Sequence, residues 1–327
     1  MRAIICREFN GPAGLTCEEV GPPKLEPGSV RIAVEAAGVN FADTLIVAGR
    51  YQVKPALPFT PGFEVAGTVA EVASDVTGLR PGERVMAIPG VGGFAEEVVC
   101  PARVVFKIPK ELDFASAAAL PIAYGTVHGA LGHRGALKAG ETLLVLGAAG
   151  GAGLAAVEIG KAMGARVIAA ARGPDKIART LAHGADLAID YAAEDLRERI
   201  KDLTDGRGVD VIFDPVGGDA CDAGLRCLAW EGRILIVGFA SGRIPAIPAN
   251  LLLVKNVSAI GVFWGEYRHR RPDLVRAAFA EILGWWRDGR VKPHVSARLP
   301  LERAADALDL LASRRSMGKV VLTVTEV

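Results

Sequence analysis

The sequence predicts an α/β protein in two parts, a compact barrel-like β unit followed by a doubly wound parallel sheet. Three observations predict it: a βα rhythm from near residue 141, a glycine-rich turn at its head, and short Gly/Pro-punctuated strands before it. The apolar runs "TLLVLG" (142–147), "ARVIAAA" (165–171), "LAID" (187–190), "VDVIFD" (209–214) and "GRILIVGF" (232–239) alternate with helical segments at 152–164, 174–184, 194–206 and 219–230. Near-continuous apolar strands belong to a parallel sheet covered on both faces, and their alternation with helices specifies double winding.

Earlier in the chain, "SVRIAVEAAG" (29–38), "EVAGTVAEVA" (64–73), "ERVMAI" (83–88) and "FAEEVVC" (94–100) are separated by turns such as "GPPKLEPG" and "LPFTPG". Only short helical pieces fit between them, so this part reads as an all-β unit. Beyond about 262 come a helix at 271–289, the segment "VKPHVSARLPL", a second helix at 302–315 and a closing strand, "GKVVLTV". That strand is expected to return to the first unit, making it discontinuous.

The totals agree with two soluble cores: 327 residues, 50% hydrophobic and 23% charged. A net charge of +1 leaves no bulk field to draw nucleic acid or an acidic membrane. The densest basic cluster, Arg268-His269-Arg270-Arg271, precedes Pro272 and reads as a solvated loop. Five cysteines without a CxxC pair, and no signal peptide, give the expectation of a reducing cytoplasm. The uncharged stretch 142–157 is too short and too glycine-rich to span a bilayer.

The turn "GAAGGAG" (147–153) joins the first strand of the series to its first helix. Ala149, Gly150, Gly151, Ala152 and Gly153 are the candidate cradle for a dinucleotide pyrophosphate. Gly150 lets backbone approach the ligand, Gly153 lets helix pack on strand, and the helix N-terminus supplies N–H groups. A bare tight turn, flavin and S-adenosylmethionine are the alternatives. In an NAD site a carboxylate roughly 20 residues after the glycines bonds the ribose hydroxyls. Here "VIAAARGPDK" (167–176) has Ala171, then Arg172 and Lys176, with Asp175 between the two cations. Cations at that edge fit a 2′-phosphate, so the expected cofactor is NADPH.

With those residues in view, the chain resembles the medium-chain dehydrogenase/reductase superfamily, and within it the zinc-free quinone oxidoreductases related to zeta-crystallin. The resemblance rests on "VEAAGVNFADTLIVAGRY" (34–51), "PFTPGFEVAGTVAEVA" (58–73), "LRPGERVMA" (79–87), "GETLLVLGAAGGAG" (140–153) and "GKVVL" (318–322). It implies a GroES-like β-barrel catalytic domain over 1–122, completed by 264–327, a Rossmann NADPH-binding domain over 123–263, a cleft between them, and a homodimer or tetramer assembled through the Rossmann sheets. Zinc-dependent relatives carry Cys where this chain has Asn40 and His-Glu where it has Phe63-Glu64. Asn and Phe do not replace thiolate and imidazole on zinc, and His128, His133, His183, His269 and His294 are scattered, so no metal is expected. Glu64 alone makes no site.

Without zinc to polarise a carbonyl, the reaction left is hydride donation to an acceptor that is already electrophilic, a quinone or a conjugated alkene. The resemblance places Asn40, Asp43 and Tyr51 at the nicotinamide and substrate site, with Tyr51 a hydrogen-bond or proton donor and Asp43 a brace for its loop. It places Thr126 near the nicotinamide and Tyr191 beside the adenosine phosphate. Gly238, Phe239, Ala240, Gly261, Val262 and Phe263 fall in loops that bond the carboxamide through backbone. Three positions depart from the family pattern: Val47 stands where many quinone reductases have Arg, Glu158 where Gln is usual, and Gly173 where a small hydroxyl residue is common. The leading expectation is NADPH-dependent quinone reduction. The alternatives are an enone, enal or enoyl-CoA reductase, and a non-catalytic NADPH-binding protein.

Overall fold

A computed structural model describes residues 1–324 of the chain. It divides into two compact units, the first made of Met1–Ala123, Tyr267–Phe279 and the segment from Pro293 onward, the second of Tyr124–Glu266 and Ala280–Lys292. The fold is a GroES-like β unit plus a Rossmann-type parallel sheet.

The first unit opens with a hairpin, β1 (Arg2–Cys6) and β2 (Leu15–Glu19), followed by β3 (Ser29–Val39) and the short helix α1 (Phe41–Val47). After these come β4 (Glu64–Val72), β5 (Arg84–Ala87), β6 (Glu97–Pro101), β7 (Val105–Lys107) and α2 (Phe114–Ala118). The second unit runs α3 (Ala123–His128), β8 (Thr142–Leu146), α4 (Gly151–Ala162), β9 (Arg166–Ala171), α5 (Pro174–Ala182), β10 (Leu187–Asp190) and α6 (Leu196–Leu203). It continues through β11 (Val209–Asp214), α7 (Gly218–Cys227), β12 (Leu228–Ile236), α8 (Ala249–Lys255) and β13 (Ser258–Gly261). The chain ends with α9 (Tyr267–Arg270), α10 (Pro272–Arg287), β14 (Val295–Pro300), α11 (Ala304–Ala312) and β15 (Lys319–Thr323).

All strands of the second unit are parallel, in the order β10-β9-β8-β11-β12-β13. Strand order reverses between β8 and β11, and the glycine turn leaves β8 at that switch point, where ligands of such sheets bind. Every residue of β8 is buried. The helix α4 is buried along nearly its whole length because Gly160 lets it lie on the sheet: a methyl there would stand 2.6 Å from Leu143 Cδ2. The sixth strand, β13, went unread in the sequence. The helix expected over 219–230 stops at Cys227: Leu228 turns extended and pairs with Val209, and Glu231 takes a left-handed φ of 59° at the irregularity that follows.

In the first unit, β3 is the organising strand. One edge pairs with β4; the other is shared end to end, by β6 over Ser29–Ala33 and by β15 over Ala36–Val39. The closing strand thus lies antiparallel to β3, and β14, a strand the sequence reading passed over, lies parallel to β15. Of the returning C-terminal segment, 280–292 groups with the second unit. There Glu281 meets His128 at 2.6 Å, Arg290 donates to the Ala162 carbonyl, and the Lys292 N–H donates to Glu158 at 2.9 Å. No helix among the described residues is long and apolar enough to cross a membrane. All five cysteines are free thiols, four of them buried.

Candidate active site

The glycine turn is built by backbone constraints that favour glycine at two places. Gly147 holds φ +59°, and a methyl at Gly153 would stand 2.7 Å from the Ala148 α-carbon, which is backbone and cannot swing aside. Gly150 is different: a methyl there would approach only the Gly147 carbonyl, at 3.5 Å. Gly150 is the N-cap of α4 and gives no side-chain cap, so the N–H groups of Gly151, Ala152 and Gly153 open the helix without an intrahelical partner. Such a cradle fits an anion.

At the end of β9, Ala171 is buried and Arg172 is exposed, its guanidinium lying over the Tyr191 ring at 5.2 Å to the centroid. Tyr191 reaches this place because its N–H bonds the Ala171 carbonyl. Gly173, the departure noted in the sequence, caps α5 with φ +90°, a conformation a Ser or Thr would adopt only under strain. Its N–H donates to Asp190 Oδ1 at 2.9 Å, and Asp190 also accepts from the Ala192 N–H. Lys176 is half-buried in the first turn of α5, with Asp175 exposed beside it. Arg172 and Tyr191 are therefore brought together, and Lys176 sits one turn along.

The remaining coenzyme candidates are placed as follows. Thr126 lies in α3, half-buried. Gly238, Phe239 and Ala240 follow β12, with the Ala240 N–H bonded to Pro215 O at 3.1 Å. Gly261 closes β13 and accepts from Arg134, Val262 is buried with its N–H on Ile236 O, and Phe263 is partly exposed. Glu158, read only as a departure, is a buried hub. It accepts from the Tyr124 hydroxyl at 2.8 Å and meets His183 Nδ1 at 2.6 Å, so α3 and α5 are both tied to α4. Burial, then Glu158, pushes the Tyr124 phenol upward.

On the first unit, Asn40 caps α1 and Asp43 lies one turn in. Asp43 Oδ2 accepts the Asn40 N–H at 2.8 Å, while Oδ1 has no hydrogen-bond partner and the side chain is fully buried. Burial, reinforced by the Glu64 charge, raises the Asp43 carboxyl from 3.8 to about 7. The folded state therefore holds a proton here that the unfolded chain has already released. This contribution to stability is complete below 3.8 and is lost as pH rises toward about 7. Asp43→Asn should flatten the urea-denaturation stability profile across that window, removing a slope of up to about 1.4 kcal/mol per pH unit. An unchanged slope would show that Asp43 is hydrated and ionised.

The Asn40 carboxamide is committed to a network that sequence reading missed. Nδ2 donates to Glu64 Oε1 at 2.7 Å, and Oδ1 accepts from Lys319 Nζ at 2.7 Å. Lys319 also donates to Glu64 Oε1 at 2.6 Å and to Val39 O at 3.1 Å, and Glu64 Oε2 accepts the Ile122 N–H at 2.7 Å. Glu64 is 0% and Lys319 3% exposed. Glu64, which alone makes no metal site, is the centre of a buried ion pair. Gly38 makes room for it, since a methyl there would stand 2.6 Å from Glu64 Cδ. Val47 is wholly buried, so an Arg has no place at that position. Tyr51 packs its ring on Phe63 at 5.5 Å. Burial, then Asp43, raises the Tyr51 phenol, and Arg268 pulls it back.

The solvated-loop reading of the basic cluster also needs correcting, because Arg268, His269 and Arg270 form the end of the short helix α9. His269, Arg270 and Arg271 are exposed, but Arg268 is half-buried with its guanidinium against Gly90. Among the described residues no group of three or more His, Cys, Asp or Glu comes together as metal ligands. At the positions of zinc-dependent relatives' ligands, Asn40 and Glu64 bind an ammonium, and Phe63 has no donor atom.

Both units match known protein families. Residues 26–110 match the alcohol dehydrogenase GroES-like domain, and residues 151–280 match the domain described as zinc-binding dehydrogenase. A quinone oxidoreductase-like protein 2 homolog of Nematostella vectensis is 44% identical over 99% of this chain and 89% of its own. The Bos taurus quinone oxidoreductase-like protein 2 is 42% identical over 99% and 92%. Among solved structures, Escherichia coli quinone oxidoreductase complexed with NADPH superposes with a TM-score of 0.93 at 30% identity, covering 99% of this chain and 100% of that one. The chain belongs to the quinone oxidoreductase-like family of the medium-chain dehydrogenase/reductase superfamily.

Proposed function

We propose that this protein is an NADPH-dependent oxidoreductase that reduces quinones without zinc. The observation that carries the reading is the edge beyond β9, where Arg172 lies over Tyr191 and Lys176 follows one turn later, beside the open helix N-terminus of α4. That set fits NADPH: Arg172 and Lys176 would hold the 2′-phosphate, Tyr191 would cover the adenosine end, and Gly151, Ala152 and Gly153 would bind the pyrophosphate through backbone. Thr126, Gly238, Phe239, Ala240, Gly261, Val262 and Phe263 are assigned to the nicotinamide end. Escherichia coli quinone oxidoreductase, solved with NADPH on the same fold, supports the choice. NADPH, when bound, supplies the hydride.

The acceptor is assigned to the first unit. Tyr51 keeps its proton, since burial raises the phenol, and it donates to the acceptor's oxygen. Asp43 braces the turn that carries α1, and Asn40, with its carboxamide committed to Lys319 and Glu64, acts by positioning α1. Zinc does not fit here, because the two oxygen donors are already spent on an ammonium. The protonated Tyr51 also favours a second reading, reduction of an alkene conjugated to a carbonyl. A homodimer belongs to the same proposal, joined at the β13 edge of the parallel sheet near exposed Trp230, Leu253 and Val254.

The test is NADPH oxidation with 1,4-benzoquinone, an alkenal and crotonyl-CoA as acceptors, compared by kcat/KM. Quinone should be preferred. Preference for the alkenal or the thioester replaces the first reading with the second, and no turnover with NADPH still bound sinks both. Tyr51→Phe should lower alkene reduction on the order of a hundredfold and quinone reduction much less. Equal losses would remove Tyr51 from the donor role.

A further inference from the structure

We propose that Arg268 is the acceptor-side cation of this site, standing with the Tyr51 hydroxyl to hold the negative charge that develops on the acceptor's oxygen. The inference rests on the reading above and adds to it a specificity residue and the chemistry it selects, an acceptor whose reduction product is an oxyanion.

Arg268 opens the basic run yet differs from the three residues after it. It lies in α9 and is half-buried, while His269, Arg270 and Arg271 are exposed. Its Nε donates to His269 Nε2 at 3.0 Å, which orients the guanidinium fork. Nη1 and Nη2 lie over Gly90, where a methyl would stand 2.6 Å from Nη2 and 2.8 Å from Cζ. Gly90 holds φ +94°, so its lack of a side chain serves both the turn and the close seat of the cation. The loop after Gly90 is tied to the one that carries Phe63: the Gly92 N–H bonds Thr60 O at 2.7 Å and the Gly93 N–H bonds Gly62 O at 3.0 Å. Phe63 in turn packs on Tyr51. Arg268 and Asp43 both act electrostatically on the Tyr51 phenol, so cation and hydroxyl share one locality.

Reduction of a quinone or enone by hydride leaves an electron pair on oxygen. NADPH, when bound, would supply the hydride with both electrons of its nicotinamide C–H bond; as that bond broke and a new bond to hydrogen formed on the acceptor, the acceptor's carbonyl π pair would move onto oxygen. The Tyr51 O–H bond then breaks to protonate that oxygen, and Tyr51 recovers a proton from solvent. A guanidinium beside the hydroxyl stabilises the charge before the proton arrives, with charge-assisted bonds that strengthen as the charge grows.

The probe is 4-nitrophenol, whose phenol and phenolate forms differ in colour, titrated into the full chain with NADP⁺ present. Phenolate should bind more tightly than phenol. Arg268→Met should weaken phenolate binding about tenfold with neutral phenol unchanged, and Arg268→Lys should fall between. Gly90→Ala, which displaces the guanidinium without removing it, should reproduce the loss. NADPH affinity, measured by fluorescence titration, should be the same in all variants. Equal phenolate affinity in the Met variant overturns the proposal, as does a parallel fall in NADPH affinity, which would make Arg268 a coenzyme residue. Because the probe needs no turnover, failed quinone reduction with these binding results intact would sink the function and leave this assignment standing.

Discussion

Lys319→Met lowers the stability of the chain by about 3–5 kcal/mol, the largest single effect expected here. The ammonium makes three short contacts, to Glu64 Oε1, Asn40 Oδ1 and Val39 O, in a place closed to solvent. Removing it leaves a fully buried carboxylate with the neutral donors Asn40 Nδ2 and Ile122 N–H and no counter-charge. Breaking one partner of a buried pair costs far more than the pair contributes net, because the remaining charge keeps its desolvation penalty. Urea denaturation should show the midpoint falling with the slope unchanged. Adding Glu64→Gln to Lys319→Met should recover a large part of the loss, since an amide tolerates the site better than an unpaired charge. A loss below about 1 kcal/mol would place the pair in the range of solvated surface bridges and refute its burial.

The second large effect is on the coenzyme. Arg172→Ala combined with Lys176→Ala should raise the NADPH Kd about a hundredfold and leave the NADH Kd nearly unchanged. Two charge-assisted bonds, discounted for the exposure of Arg172, supply that ratio. Arg172→Ala alone should also release Tyr191, whose ring the guanidinium covers. Isothermal titration with both coenzymes decides it. Parallel losses for NADPH and NADH would mean that the two cations support the fold of the β9–α5 turn and do not read the phosphate.

How much of this was legible in the sequence depended on the kind of constraint. Gly147 and Gly153 are written plainly because a left-handed φ disfavours other residues at the first and a backbone contact leaves no room for a methyl at the second. The parallel sheet was legible for a similar reason: strands buried on both faces must be apolar throughout. The buried pair was not, since Glu64 and Lys319 are 255 positions apart and meet only through the register of β15 on β3 and β3 on β4. The available signal was a charge at the first position of each of two largely apolar strands, Glu64 of β4 and Lys319 of β15, and opposite charges that become buried have reason to seek each other. Arg268 was hidden by its neighbours. Four basic-looking residues in a row share one composition, and only the fold separates the one seated on Gly90 from those in solvent. β13 is only four residues, mostly exposed, and β14 alternates, so neither has the apolar run that marks their companions.

The shared edge of β3 also sets an order of events during synthesis. A ribosome delivers Val39 long before Val320, its partner in the sheet, so that half of the edge stays bare until nearly the whole chain has emerged. The parallel sheet draws on one contiguous stretch, from Thr142 to Gly261, and can be assembled while the last strand is still inside the exit tunnel. The barrel-like unit, first to be translated, is thereby the last to be finished, and Lys319 arrives as the bolt that shuts it.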